Sequence, residues 1–330
     1  MLTGGTMNAQ TTDITANSHT TESHGYLTAY QSCRLCPRSC SVNRYETTGF
    51  CGCKAEVKAA RAALHLWEEP CISGIHGSGT VFFSGCTLRC CFCQNYSISS
   101  ERKGKEIPIS RLSDIFLELQ KQGAHNINLV TPTQYLPSII QALDQAKGKL
   151  QIPVVYNCGG YENLETIKAL KPYVDIWLPD LKYFNSSLSG KYSQASDYFS
   201  VASKAIQMMV EETGPFLFED FTSDKKTCQL MKRGTIIRHM VLPGQKEDSM
   251  KLLDWIHEAL PRGHFMISLM SQYTPFYKSQ EYPELNRRIT TYEYEKVVDY
   301  ALKLGLTDGF IQEKSSAKEE YTPPFDLQGI

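Results

Sequence analysis

The amino-acid sequence predicts a parallel α/β sheet. Short apolar runs alternate with amphipathic segments from about residue 79 onward. The runs are rich in Val, Ile and Phe and mostly lack strict apolar/polar alternation, as expected of strands buried on both faces. Polar, charged and glycine residues gather just after each run, where parallel α/β folds bind ligands. Strand–helix alternation repeated six times leaves a doubly wound sheet or a barrel, open or closed. Periodicity alone does not choose between them.

The first run, 80–84, ends at Gly85 and opens into a cysteine-rich loop. Leu112, Ile115, Phe116 and Leu119 then recur at helical spacing. The second run, 127–131, ends in Thr131-Pro132-Thr133-Gln134. The third, 152–156, ends in Asn157-Cys158-Gly159-Gly160, and the fourth, 174–178, in Pro179-Asp180-Leu181-Lys182. The fifth, 235–241, carries Arg238 and His239 and ends in Pro243-Gly244. Leu252, Trp255, Ile256 and Ala259 make a second helical stripe. The sixth run, 265–269, ends in Met270-Ser271-Gln272-Tyr273. Tyr294, Val297, Val298, Ala301 and Leu302 make a third stripe, and 309–312 is a candidate seventh strand. The stripes read as core packing, not as cofactor contacts. Gly159-Gly160 reads as a turn or as a close approach of backbone to a ligand. Asp180 and Lys182 share a side if the extended chain continues, as a surface ion pair or as part of a site. Arg238 and His239 are adjacent, so at most one faces the interior. A buried histidine is more often a hydrogen-bonded core residue than a catalyst.

The chain has 330 residues, enough for one large domain with or without a small module. Residues 1–28 are rich in Thr, Ser, Asn and Gly and read as a disordered leader. Residues 29–70 read as a cysteine-rich metal-binding module, and 71–330 as the main domain. With 34 basic against 35 acidic residues, nucleic acid is not an expected partner. No apolar run approaches the ~20 residues of a membrane helix. Of 12 cysteines, all but Cys158 and Cys228 fall between Cys33 and Cys53 or between Cys71 and Cys93. Such clustering points to metal binding in a reducing cytoplasm rather than to a disulfide framework.

Cys86, Cys90 and Cys93 follow the spacing C-x3-C-x2-C. A cubane iron–sulfur cluster takes thiolate ligands, and a short loop can supply three of them. The iron left without a protein ligand can bind a small molecule, as an open position does in a catalytic metal site. Cys91 permits a second register with Cys86 and Cys93, and a structural zinc loop is the plainer alternative.

This spacing, with Phe92 just before the last cysteine, resembles the radical S-adenosylmethionine (SAM) superfamily. Residues 77–86, 93–96, 126–133, 177–182, 270–275 and 323–327 resemble its uncharacterised pyruvate formate-lyase activating enzyme-like proteins. The resemblance covers nearly everything from Cys33 to the end. It implies a partial (β/α)6 barrel and a [4Fe–4S] cluster on Cys86, Cys90 and Cys93. In that superfamily the open iron chelates the amino and carboxylate groups of SAM. An electron then breaks a carbon–sulfur bond, giving methionine and a 5′-deoxyadenosyl radical. The resemblance further implies a reductant such as flavodoxin or ferredoxin, and a protein, peptide or small-molecule substrate. Asp180-Leu181-Lys182 is similar to a triplet of glycyl-radical activases, where the aspartate belongs to a monovalent-cation site and the lysine contacts SAM. Asn157 stands where an activase has another aspartate of that site. Thr131-Pro132-Thr133 replaces the Gly-Gly-Glu that many relatives use to hold the SAM amino group; its hydroxyls and carbonyls can accept from an ammonium. The SAM pocket is therefore expected around Phe92, Thr131, Asn157, Asp180, Lys182 and Gln272.

A second cysteine set, Cys33-x2-Cys36-x3-Cys40 and then Cys51-x-Cys53, supplies at least four thiols. Four can close a tetrahedral zinc site or hold an auxiliary cluster. The resembling proteins share Cys33, Cys36, Cys40 and a cysteine near Cys51. Cys53, Cys71, Cys158 and Cys228 are expected as buried apolar thiols. Two functions stand at this point. One is a radical SAM enzyme that abstracts hydrogen from an unidentified substrate. The other is a non-catalytic iron–sulfur or zinc protein for electron transfer or protein contacts.

Overall fold

The computed structural model describes residues 27–312 and 322–330. The expected leader, 1–28, lies outside the described residues except for Leu27 and Thr28. Among the described residues ten strands form one sheet: β1 Val57–His65, β2 Ser78–Phe83, β3 Lys105–Ile107, β4 Ile127–Val130, β5 Val154–Cys158, β6 Ile176–Pro179, β7 Leu217–Ser223, β8 Lys226–Met240, β9 Met266–Met270 and β10 Gly309–Ile311. Their order is β10-β9-β8-β6-β5-β4-β2-β1-β3, with β7 paired to β8 off this path. The run from β2 through β4, β5, β6, β8 and β9 to β10 is parallel throughout. Its two ends differ, so the sheet is open, and helices connect the parallel strands. This is the parallel α/β sheet that the sequence predicts, in the partial-barrel form that the resemblance implies.

Five of the predicted strands, β2, β4, β5, β6 and β9, are buried at every residue and have no exposed face, which is why their sequences do not alternate. The runs 235–241 and 309–312 fall in β8 and β10, which are not buried throughout. The helix Ile109–Lys121 buries Leu112, Ile115, Phe116 and Leu119, the stripe its sequence shows. The helix Lys246–Ala259 buries Leu252 and Ile256. The helix Thr291–Lys303 opens with a capping box between Thr290 and Glu293 and buries Tyr294, Val297 and Ala301. Leu302, counted in that stripe, is 48% exposed and lies outside the core. Cys228 also departs from expectation, being only half-buried, whereas Cys53, Cys71 and Cys158 are buried as expected.

The third strand extends to Cys158, so Asn157 sits on the sheet rather than after it. Strand β1, inside the span 29–70, pairs antiparallel with β2 and β3. Tyr30, Cys33, Leu35, Cys51 and Cys53 share a core cluster with Val81, Phe83 and Leu129 of the sheet. The C-terminal residues return to β1: Leu327 N donates to Ala60 O at 3.0 Å, and Ala62 N to Gln328 O at 2.8 Å. Arg61 pairs with Asp326 at 2.7 Å and Phe325 packs edge-on against Phe82. Among the described residues no helix is long and apolar enough to cross a membrane.

Candidate functional site

The carboxyl ends of the parallel strands surround a cavity of about 240 Å3. Cys86, Cys90, Cys93, Phe92, Thr131, Asn157, Asp180, Lys182 and Gln272 all line it. They come from five separate loops or strand ends, which only the sheet brings together.

The cysteine loop begins at Gly85. Its φ of +83° and the Cys53 Sγ lying 2.1 Å from where a Cβ would stand leave room for glycine alone. The loop is then held from outside. Arg89 N donates to Ser193 O at 3.2 Å, Cys91 N to Tyr192 O at 2.8 Å, and Lys278 N to Cys91 O at 2.9 Å. The Cys91 side chain is 5% exposed and packs in a cluster with Phe92, Tyr183 and Tyr192. It is absent from the cavity lining, unlike Cys86, Cys90 and Cys93. Ser193 Oγ donates to Cys90 Sγ at 3.0 Å, and Cys93 Sγ lies 3.2 Å from Ser99 Oγ. Burial, then the neighbouring Cys90, pushes the Cys86 thiol up to about 12 and the Cys93 thiol to about 11. Phe92 is edge-on to Tyr273 at 5.8 Å, which walls the loop with aromatic surface.

Opposite lies a charged network. Asp180 stands just past β6 and bridges to Arg238 on β8. Lys182 Nζ donates to Asp180 Oδ2 at 2.6 Å. Arg238 donates through Nε to Asp180 Oδ1 at 2.9 Å, through Nη2 to Asn157 Oδ1 at 2.6 Å, and through Nη1 to Glu68 Oε2 at 3.2 Å. Asn157 Nδ2 reaches Glu68 Oε1 at 3.3 Å. Burial raises the Asp180 carboxyl, but the charges of Arg238 and Lys182 outweigh it and hold the group below its ordinary value. Tyr198 OH accepts from Lys182 N at 3.0 Å and lies 2.6 Å from Asp180 O, pinning the turn between them. Gly160 is there for the same turn, since a Cβ would meet Asp180 O at 2.3 Å.

Sequence reasoning missed Glu68, in the loop after β1, where a glutamate outside any predicted element carries no signal. It left open which of Arg238 and His239 faces the interior. The structure separates them: Arg238 faces the cavity, while His239 is buried between Leu181 O at 2.7 Å and Ser249 Oγ at 2.9 Å. Thr131 and Thr133 also part company. Thr131 lines the cavity with a φ of +57°, uncommon for a β-branched residue. Its N donates to Asn157 O and its O accepts from Gln134, each at 2.8 Å. Thr133 turns away and donates to Glu162 Oε1 at 2.8 Å.

The second cysteine set is stitched to this loop. Arg44, fully buried, donates to Cys53 O at 3.1 Å and to Gln134 O and Lys54 O, and lies over the rings of Tyr30 and Tyr135. Arg38 donates to Thr87 O at 2.9 Å, and Arg89 to Phe50 O. Cys33 and Cys51 are buried, and Cys36 and Cys40 are half-buried. Among the described residues no three His, Cys, Asp or Glu side chains converge on a single metal ion. A cubane asks for a wider arrangement, because each thiolate takes a different iron.

The sequence profile of the radical SAM superfamily matches residues 80–218. An uncharacterized protein of Methanocaldococcus jannaschii is 32% identical over 286 residues, spanning 84% of this chain and 76% of that relative. The chain belongs to the radical SAM superfamily. Among solved structures, SAM-bound SuiB of Streptococcus suis shares 15% identity at a TM-score of 0.47, over 69% of this chain and 48% of SuiB. This radical SAM protein thus spans about half the length of SuiB. Methylornithine synthase shares 12% at 0.46, over 87% and 77% of the two chains. A domain of pyruvate-formate lyase-activating enzyme from Bacteroides vulgatus shares 14% at 0.37, over 54% and 93%. These likenesses assign no residue a role. Membership in the superfamily implies SAM and a [4Fe–4S] cluster. The donor set suits that pair: three thiols from one short loop and the Lys182 amine line a single cavity.

Proposed function

We propose that this radical SAM enzyme holds its cluster on Cys86, Cys90 and Cys93 and binds SAM between that loop and Lys182. The observation that supports it is the gathering of these four residues, with Phe92, Thr131, Asn157, Asp180 and Gln272, around one cavity. The bound cluster and SAM supply reductive carbon–sulfur cleavage, yielding methionine and a 5′-deoxyadenosyl radical for hydrogen abstraction. Lys182, aimed by Asp180, presents a compact cation to the SAM carboxylate. Thr131 would offer an acceptor to the SAM ammonium, and Gln272 adds a polar group to the pocket. Phe92 and the aromatic wall behind it keep water from the cysteine loop. We propose further that residues 29–70 bind a second metal through Cys33, Cys36, Cys40 and Cys51. The setting is a reducing cytoplasm with a flavodoxin or ferredoxin as electron donor. The substrate is a protein, peptide or small metabolite, and an activase-like reaction would take a backbone glycine of a partner.

The test is 5′-deoxyadenosine formation by the anaerobically reconstituted protein with SAM and dithionite. Wild type is expected to form it, and the Cys86/Cys90/Cys93 triple alanine variant to form none. Cys91→Ala is expected to keep most of the activity. Full turnover by the triple variant refutes the assignment, and an inert wild type with intact metal favours a non-catalytic iron–sulfur or zinc protein.

A further inference from the structure

We propose that the Arg238 guanidinium stands in for a bound monovalent cation, so that SAM binding here needs no such ion; this rests on the SAM-binding reading above. The resemblance implies Asp180 as a ligand of a monovalent cation, with Asn157 where an activase has a second aspartate. The structure places a guanidinium against both. Arg238 Nε lies 2.9 Å from Asp180 Oδ1, and Nη2 lies 2.6 Å from Asn157 Oδ1. An ion held by those two oxygens would need the space and the lone pairs that Arg238 already takes. The remaining oxygens are committed as well. Asp180 Oδ2 accepts from Lys182 at 2.6 Å, Glu68 Oε2 from Arg238 at 3.2 Å, and Glu68 Oε1 from Asn157 at 3.3 Å.

Charge leads to the same place. Arg238 and Lys182 bring two positive charges to the Asp180, Glu68 and Glu69 carboxyls, so the acidic cluster already holds two cations of its own. The guanidinium is also built in. Its side chain is 14% exposed, and β8 is fixed against β6 by the pairings Ile176↔Gly234 and Trp177↔Thr235 and by the Asp180↔Arg238 bridge. A planar group with several donors and a permanent charge can hold three acceptors in fixed directions. Arg238 is thus a positioning residue: it fixes Asp180, and Asp180 aims Lys182 into the cavity.

The experiment measures SAM affinity of the reconstituted protein by equilibrium dialysis in KCl, NaCl and choline chloride at one ionic strength. The wild-type dissociation constant is expected to agree within about twofold across the three salts, since only screening is shared. In Arg238→Ala, affinity in choline is expected to fall roughly tenfold to a hundredfold. Added guanidinium or K+ should restore part of it. Lys182→Ala should be weak in every salt and unrescued. A wild-type affinity at least tenfold weaker in choline overturns the inference while leaving SAM binding intact. So does an Arg238→Ala protein with wild-type affinity in all salts. A wild type that binds no SAM in any salt overturns both this and the proposed function. The wild-type series decides the matter even where the alanine variant does not fold.

Discussion

Glu162 is a carboxylic acid 2% exposed to solvent. Burial pushes it up to about 8, against hydrogen bonds with Thr133, Tyr156 and Cys158 that work to lower it. The native chain therefore keeps this proton at neutral pH, while the unfolded chain loses it near 4.5. Between those values the unfolded state binds fewer protons, so native stability falls as pH rises. Glu162→Gln cannot ionise. Its stability relative to wild type should rise across pH 5–8, by at most ~1.4 kcal/mol per pH unit for a single proton. Urea midpoints at several pH values measure this, and identical slopes in the two proteins would show that Glu162 is ionised in the native state. Glu69, which burial pushes to about 7, leaves both proteins a residual slope of the same sign. Neither acid was legible in the sequence, where a glutamate looks the same whether the fold hides it or not. His239 was legible: a histidine on a buried strand was read as a bonded core residue. Burial lowers it to about 4, so it stays neutral there.

Elements were legible where their surroundings are simple. A strand covered on both faces is mostly apolar and does not alternate, and β2, β4, β6 and β9 show that pattern even with Ser78, Thr80, Asn128 and Ser268 buried among their residues. Strand β1 reads Val-Lys-Ala-Ala-Arg-Ala-Ala-Leu-His, a composition with low strand preference. It is a strand because β2 and β3 offer their edges to it. The β7–β8 hairpin escaped for another reason. Its turn residues, Asp224 and Lys225, have φ of +49° and +64°, the geometry of a tight hairpin turn. The usual signal is Asp-Gly or Asn-Gly, and Lys225 hides it. Lysine in the left-handed region carries a steric cost of ~1–2 kcal/mol that glycine avoids. Lys225→Gly should therefore stabilise the protein by roughly 0.5–1 kcal/mol after the extra chain entropy of glycine is counted. A lower thermal midpoint in that variant would mean that the turn takes another shape in solution.

At the scale of the whole molecule, the site was legible because its residues fall at strand ends, and the relation of the second cysteine set to it was not. Spacing shows that Cys33, Cys36, Cys40 and Cys51 are near one another in the chain. It does not show that Cys53 packs on Gly85, that Arg38 and Arg89 tie this region to the cysteine loop, or that Arg44 ties it to Gln134. Those ties arise from tertiary contacts between residues far apart in sequence. They make the two cysteine sets neighbours, yet each has its own thiols, so loss of one set need not empty the other. A metal held by four protein thiolates would have no vacancy for SAM. The triple alanine variant at Cys86, Cys90 and Cys93 separates the two sites. It should lose SAM cleavage and still retain metal. Zinc in the purified variant would mark a structural site, and iron with sulfide an auxiliary cluster. A folded variant without zinc, iron or sulfide would mean that the region around Cys33–Cys51 binds no metal of its own. Its buried thiols would then be core side chains, held in place by Arg44 and the sheet.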